Sequence, residues 1–504
     1  MTEQRRVLLI NPQITSRRGA RFPLSLLTLA GALEQTNICD LVDGNVDRSY
    51  LSNIERALAT EHYDAVGLTV MGGPQVQSAI DCSKVIRRAS PATPIVWGGY
   101  FPTLYTNAAV NAPYVDYAIR GAGEVVLAEL LEAIPAGDSD SLGRIAGLTW
   151  KRGGAVVHNE ERRSRDERPS TPLPYDLLGE PRAYLARTFL GHRTAVHQAA
   201  LGCRFRCTFC GVAAMFRGAT YLPPAERLER DLTWLKDSLG ADSLQFFDHN
   251  FFDREEAMVP LLEVLARIQL PWWCYARADA LLGMSEATWK LVRKSKLKMA
   301  YIGAESPNDA MLASIRKGTS SDQTLAVAEL CRSNGVVPEL SFMVGPPDDT
   351  EAETERTFEF IRQVKKVNPD SEIIIYIYTP LPPECLPKSS RVRAGARQLH
   401  DLNGNPLQFP STPEGWTEKR WVDYSCHADA PWLTERVRQR IRNFTTVLGC
   451  RFPTAQDVRL SGWSKTTLKA MASWRYRFRR YDRPWELALS KRLVRLAKPQ
   501  VTSL

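Results

Sequence analysis

The first stretch of the chain alternates short apolar runs with longer segments of helical spacing. Val7–Asn11 predicts a buried strand, and Leu24–Leu33, entered after Pro23, predicts a helix. Asp64–Val70 predicts a second strand, ended by Met71-Gly-Gly-Pro74, and Gln75–Arg88 a helix through Ile80 and Val85. Pro94–Trp97 is a third strand, ended by Gly98-Gly99-Tyr100. Val115–Ile119 is a fourth, followed by Arg120-Gly-Ala-Gly-Glu124 and a helix through Leu131. Apolar strands separated by helices imply a parallel, doubly wound α/β sheet. Ligands bind such sheets beyond the carboxyl ends of the strands. Three of these ends carry glycines, at 72/73, 98/99 and 121/123, where backbone can approach a ligand closely; tight turns would also use glycine. No G-x-x-x-x-G-K-[ST] loop occurs and no G-x-G-x-x-G follows the first strand, so a nucleotide is a poor candidate.

Residues 145–158 read as a hairpin around Gly153-Gly154, and the charged run 160–168 with the following prolines as a linker. A second alternating series follows. Its strands are Thr194–Ala200, Ser243–Phe252, Trp272–Asp279, Lys298–Ser306, Val336–Gly345 and Ser371–Leu381. Its helices are Ala225–Leu239, Glu255–Ile268, Glu286–Lys294, Ser321–Asn334 and Ala352–Val364. Six such units fit a (β/α)6 partial TIM barrel with its chemistry at the strand C-termini. The expected organisation is a Rossmann-like domain over 1–135, hairpin and linker over 136–190, the barrel over 191–390 and a mainly helical extension over 391–504.

The 504 residues carry a net charge of +9, but residues 451–504 hold 13 Lys/Arg against 3 Asp/Glu, so the positive excess sits in the tail. No apolar run approaches the roughly 18 residues of a membrane span, and Val7–Ile10 is too short for a signal peptide. The expected location is cytoplasmic, where the ten cysteines serve as thiols or metal ligands rather than disulfides.

After the first barrel strand comes Gly202-Cys203-Arg-Phe-Arg-Cys207-Thr-Phe-Cys210-Gly, a C-x3-C-x2-C triplet at the barrel mouth. Three thiolates on one loop can each hold one iron of a [4Fe–4S] cluster and leave the fourth iron open. Zinc would want a fourth protein ligand, and none follows within 35 residues, though His197 could reach back. The triplet resembles that of the radical S-adenosylmethionine (SAM) superfamily, in which the open iron chelates SAM and its reductive cleavage gives a 5′-deoxyadenosyl radical. The resemblance continues through later strands. It implies SAM contacts from Phe209 in the loop, Asp248 and Asn250 in Phe246-Phe-Asp-His-Asn250, and Arg277 in Tyr275-Ala-Arg. It also implies contacts from Glu305 and Ser306 in Gly303-Ala-Glu-Ser, and Gly345 in Phe342-Met-Val-Gly-Pro.

The first domain is similar to the cobalamin-binding domain found ahead of a subset of radical SAM enzymes. That implies a corrinoid held by Gly72, Gly73, Gly98, Gly99, Tyr100, Gly121 and Glu124. The D-x-H-x-x-G cobalt-ligand motif is missing, so the lower cobalt face is expected to lack a histidine. The resemblance implies a cobalamin-dependent C-methyltransferase acting through the radical and methylcobalamin on an inert carbon of a small or lipophilic substrate. It also implies an external flavodoxin- or ferredoxin-like electron donor. A non-methylating oxidative cyclase or hydroxylase is the alternative, and an RNA-modifying enzyme a third. The cofactors carry the hard chemistry, so no general base is expected. In the tail, Trp463, Trp474 and Trp485 are 11 residues apart, which lines them up on one helix among arginines. Such a stripe suits packing on the barrel; it also suits peripheral contact with the inner face of a membrane. Cys426-His427 reads as a loop pair without an assigned role.

Overall fold

The computed structural model describes residues 4–34, 36–135, 137–162, 171–348, 350–382, 398–454 and 462–494. The first sheet comprises β1 (Arg5–Asn11), β2 (Asn37–Asp43), β3 (Ala65–Thr69), β4 (Ile95–Gly98), β5 (Tyr117–Ile119), β6 (Leu148–Arg152) and β7 (Ala155–His158). Its order is β2-β1-β3-β4-β5-β6-β7. The first five strands pair in parallel and β5-β6-β7 antiparallel. The four expected apolar strands are there, and the hairpin extends the sheet through β5. Strand β2 and the helix Tyr50–Thr60 have no counterpart in the apolar pattern, nor have the short helices Tyr100–Leu104, Thr106–Asn111 and Ser139–Arg144. As the edge strand, β2 buries only its end residues Asn37 and Asp43, so it needs no apolar run.

The second sheet comprises β8 (Thr194–His197), β11 (Ser243–Phe246), β12 (Trp272–Ala276), β13 (Leu297–Glu305), β14 (Val337–Val344) and β15 (Glu372–Ile377). A two-stranded ribbon of β9 (Leu201–Gly202) and β10 (Thr220–Tyr221) separates β8 from β11 in the chain. The order β15-β14-β13-β12-β11-β8 is parallel throughout, the (β/α)6 partial barrel. Several strands stop before the polar residues expected at their ends. Residues 198–200, 247–252 and 277–279 lie beyond the ladder, and the site is built there. Helix Ala225–Thr233 runs into a π turn, Trp234–Ser238. Alternation along the strands separates two apolar sets. Leu244 and Phe246 join the outer core beneath the helices. Trp273, Met299 and Tyr301, with Tyr275, Ile374 and Tyr376, form a second cluster in the lumen.

The C-terminal extension is a strap before it is a tail. Trp416 packs on Tyr105 (3.9 Å between ring centres) and Phe101 of the first domain, and Tyr114 donates to Glu414 (2.9 Å). Further on, Trp432 Nε1 donates to the carbonyl of Gly345 on the barrel (2.9 Å). Helix Glu435–Arg451 then stacks Phe444 on Phe358 of the outer helix Thr350–Val367 (3.8 Å). The single tryptophan stripe does not form. The tail divides into helices Gly462–Arg477 and Trp485–Val494, so Trp474 and Trp485 sit on different helices, both exposed. The side chain of Trp463 lies outside the described residues.

Candidate functional site

Gly202 opens the cysteine loop with φ +81°, and an added Cβ would lie 2.1 Å from the Ala219 carbonyl oxygen. Only glycine fits there, because L side chains are penalised at positive φ and the ribbon leaves no room. Cys207 is buried, and Cys203 and Cys210 are half-buried. Burial pushes the Cys210 thiol up to about 12, with the charge of Cys207 adding to it, and pushes Cys203 up as well. Bare thiolates are therefore disfavoured and a cationic partner is wanted. Among the described residues no three His, Cys, Asp or Glu converge on a single ion. His197 turns away from the loop, with Nε2 3.8 Å from buried Asp231.

The residues at the barrel mouth are largely engaged with one another. Buried Arg277 donates to both oxygens of Asp279 (2.9 and 3.0 Å) and to the Lys317 carbonyl (2.6 Å). Its remaining nitrogen lies 3.9 Å from Cys207 Sγ, and its guanidinium carbon sits 3.5 Å from the Phe205 ring centre. Arg277 thus braces the cysteine loop. Asp248 does likewise: its carboxylate accepts the N–H groups of Ala199 (3.0 Å) and Ala200 (2.6 Å). Burial pushes this carboxyl up to about 7, while those two bonds pull it back down. Asn250 donates to Asp253 (3.2 Å), which also accepts from Arg204 (3.1 Å); the Oδ1 of Asn250 is buried with no partner among the described residues.

Glu305 stands at the bulged end of β13 with φ +62°, a strained conformation for a side chain of this kind. Its Oε1 accepts from Lys317 Nζ (2.6 Å) in a buried ion pair, and no described residue bonds Oε2. A Cβ on Gly303 would collide with both partners, at 2.1 and 2.4 Å, so that glycine makes room for the pair. Ser306 is buried and its hydroxyl accepts from the Asn308 N–H (3.0 Å). Phe209 packs against the buried cluster of Leu312, Ile315 and Met343. Gly345 abuts the strap, where a Cβ would stand 2.7 Å from Leu433.

On the other side of the loop lies a cavity of about 240 Å³. Gly98, Gly99, Gly121 and Glu124 at the carboxyl edge of the first sheet form one wall, and Met215, Phe216 and His249 of the barrel form the other. A Cβ on Gly98 would meet nothing within 4 Å. Tyr100 lies between the two units, its ring 3.2 Å from where a Gly211 Cβ would be. Burial holds its phenol protonated far above the usual range, and charge on Cys210 and Cys203 adds to the effect. Its oxygen is 3.0 Å from His249 Nε2, and the Gly202 N–H donates to His249 Nδ1 (3.1 Å). Nδ1 is therefore the acceptor and Nε2 carries the proton toward Tyr100. Sequence reasoning passed over His249, which stands between two residues it selected. Gly72 and Gly73 do not line this cavity. They face the strap, where Cβ atoms would meet Ser425 Cβ at 3.4 Å and Cys426 Sγ at 2.6 Å.

The radical SAM superfamily model matches residues 199–361, and the B12 binding domain model matches residues 13–131. The chain carries a radical SAM domain and a B12 binding domain. It is 25% identical over 346 residues to an uncharacterised methyltransferase of Pyrococcus horikoshii, covering 68% of this chain and 73% of that one. It is 26% identical over 390 residues to the anaerobic magnesium-protoporphyrin IX monomethyl ester cyclase of Rubrivivax gelatinosus, covering 75% and 68%. The fold is that of the radical SAM methyltransferase TsrM from Kitasatospora setae, solved with cobalamin and a [4Fe–4S] cluster (TM-score 0.63, 17% identity, covering 94% of this chain and 100% of that one). It is also that of the cobalamin-dependent radical enzyme OxsB, solved with aqua-cobalamin and SAM (TM-score 0.67, 17% identity, covering 94% and 71%).

The cofactors of such a protein are a [4Fe–4S] cluster, SAM and cobalamin, and the residues present fit all three. The loop supplies three thiols, with Cys207 close enough to raise the proton affinity of Cys203 and Cys210, and with Arg277 alongside. The barrel mouth supplies an orphaned buried acceptor on Asn250 and the uncommitted oxygen of Glu305. The cobalamin side supplies a glycine-walled cavity with open space above Gly98. His249 is the only histidine among the residues lining it, and both its ring nitrogens are engaged.

Proposed function

We propose that the protein is a cobalamin-dependent radical SAM methyltransferase that methylates an unactivated carbon of a small molecule. The observation that carries this reading is the shared wall: a single chain, Gly202–His249–Tyr100, runs from the first residue of the cysteine loop to the rim of the cobalamin cavity. Two relatives support methyl transfer in particular, the Pyrococcus horikoshii protein and the cytidylyl-2-hydroxyethylphosphonate methyltransferase of Streptomyces wedmorensis (22% identical over 392 residues). When bound, the cluster and SAM supply a hydrogen-abstracting radical, and the corrinoid supplies the methyl group.

The chain's own residues position and enclose. Cys203, Cys207 and Cys210 hold the cluster, with Arg277 and Asp248 fixing the loop that carries them. Asn250, Glu305, Ser306 and Phe209 would hold SAM, with Gly345 making room for the strap. Gly98, Gly99, Tyr100, Gly121 and Glu124 receive the corrinoid. The substrate carbon enters the lumen beside Tyr275, Tyr301 and Tyr376, where Tyr301 donates to Tyr376 (3.2 Å) and Trp273 Nε1 donates to buried Glu339 (2.9 Å). An apolar wall with a few hydrogen-bonding groups suits a weakly polar or lipophilic substrate and keeps water from a reactive radical. A one-electron donor of the flavodoxin or ferredoxin kind completes the cycle.

The test is anaerobic incubation of the reconstituted protein with methyl-labelled SAM and a cell extract. Label in a small molecule is the expected result. 5′-Deoxyadenosine without label transfer would favour a cyclase instead, the reading that the Rubrivivax relative supports.

A further inference from the structure

Six large hydrophobic side chains are exposed among the described residues, and four of them lie on the last two helices or, for Phe478, in the turn directly after the first of these. Trp474 is 50% exposed, Phe478 65%, Trp485 71% and Leu489 53%. Trp474 and Phe478 share one helix face by their four-residue spacing, as do Trp485 and Leu489. These helices are not loosely attached. They bury Leu468, Ala472, Tyr481 and Leu487, and Arg362 donates to the Tyr481 hydroxyl (3.0 Å). Arg475 ties the two together by bonding Glu486 (3.0 Å) and the carbonyls of Arg480 (3.0 Å) and Asp482 (2.9 Å). Its guanidinium carbon lies 4.9 Å from the Trp474 ring centre, and Glu486 directly follows Trp485. Trp474 therefore borders this ion pair, and Trp485 is the chain neighbour of its acidic partner. Around them Arg477, Arg480 and Arg483 are exposed and have no acidic partner among the described residues, whereas Arg479 pairs with Glu359 (2.6 Å).

We propose that this face docks on an anionic lipid surface. Aromatic side chains held rigidly in water, and not needed by the core that the same helices bury, are suited to the headgroup region of a bilayer. Unpaired guanidinium groups beside them complement phosphate charge, and each adds to binding at a negatively charged surface. No described helix is long and apolar enough to cross a membrane, so the contact is with the surface alone. The inference stands apart from the methyltransferase reading: either can fail without the other.

The test is co-sedimentation of the reconstituted holoprotein with vesicles of phosphatidylcholine, with and without phosphatidylglycerol. The expected result is binding that requires phosphatidylglycerol and weakens as salt rises. Exchanging Arg477, Arg480 and Arg483 for Gln should weaken it by about a hundredfold, roughly fivefold for each arginine. A Trp474→Ser, Phe478→Ser, Trp485→Ser, Leu489→Ser variant should lose binding while keeping its melting temperature and SAM cleavage. Single Trp485→Ser serves if that variant does not fold. Binding to neither vesicle, equal binding to both, or undiminished binding by the apolar variants would overturn the proposal. So would a wild-type dimer in sedimentation that the apolar variant converts to monomer, since the face would then belong to a second copy of the chain.

Discussion

At the carboxyl edge of the first sheet, Gly98, Gly99 and Gly121 offer bare backbone, and Glu124 is the only charged residue lining the cavity. At the mouth of the barrel the charged side chains are already committed: Arg277 to Asp279, Lys317 to Glu305, Asp248 to Ala199 and Ala200. The two edges follow different rules. The first leaves space, so its residues contribute shape and little stability. The second is an interlocked polar layer in which ligand binding and folding depend on the same contacts.

That contrast sets what each substitution should do. Cys207→Ala is the largest: iron content should fall and SAM cleavage should drop to background, measured by iron assay and chromatography of 5′-deoxyadenosine. Retained cleavage would remove the cluster assignment. Lys317→Met leaves Glu305 buried and unpaired, and should cost about 3–5 kcal/mol in denaturant unfolding. Glu305→Gln with Lys317→Met should recover most of that loss but not SAM affinity. Gly98→Leu should lower corrinoid content about 10- to 100-fold with iron content unchanged. Gly98→Ala should leave stability within about 0.5 kcal/mol, because its Cβ enters open space. If Gly98→Leu lost iron as well, the two edges would not be independent. Tyr100→Phe is the smallest, removing one hydrogen bond from the shared wall at about 1 kcal/mol.

Much of this arrangement is legible in the chain. Apolar runs ended by glycine, then a cysteine triplet after the first strand of a second series, mark the sheet edge that walls the cavity and the loop at the barrel mouth. What is not legible is direction. In Phe246-Phe-Asp-His-Asn250 three consecutive polar residues leave a strand end. Only the backbone path shows that Asp248 turns to the Ala199 and Ala200 amides while His249 reaches Gly202 and Tyr100. Gly72 and Gly73 look like Gly98 and Gly99 in sequence, yet they accommodate Ser425 and Cys426, some 350 residues away. No local pattern encodes such a pairing. The tail misled for the opposite reason, since an 11-residue spacing implies one helix only if the helix continues, and this one ends at Arg477.

One imidazole proton serves two sites in this molecule. While the Gly202 N–H occupies Nδ1 of His249, the ring must present its own proton to Tyr100. A shift of the cysteine loop that withdrew Gly202 would free that proton to change nitrogens, and the Tyr100 phenol would then turn from acceptor to donor. The wall of the glycine-edged cavity and the seating of the cysteine loop are thus linked through the tautomer of one ring.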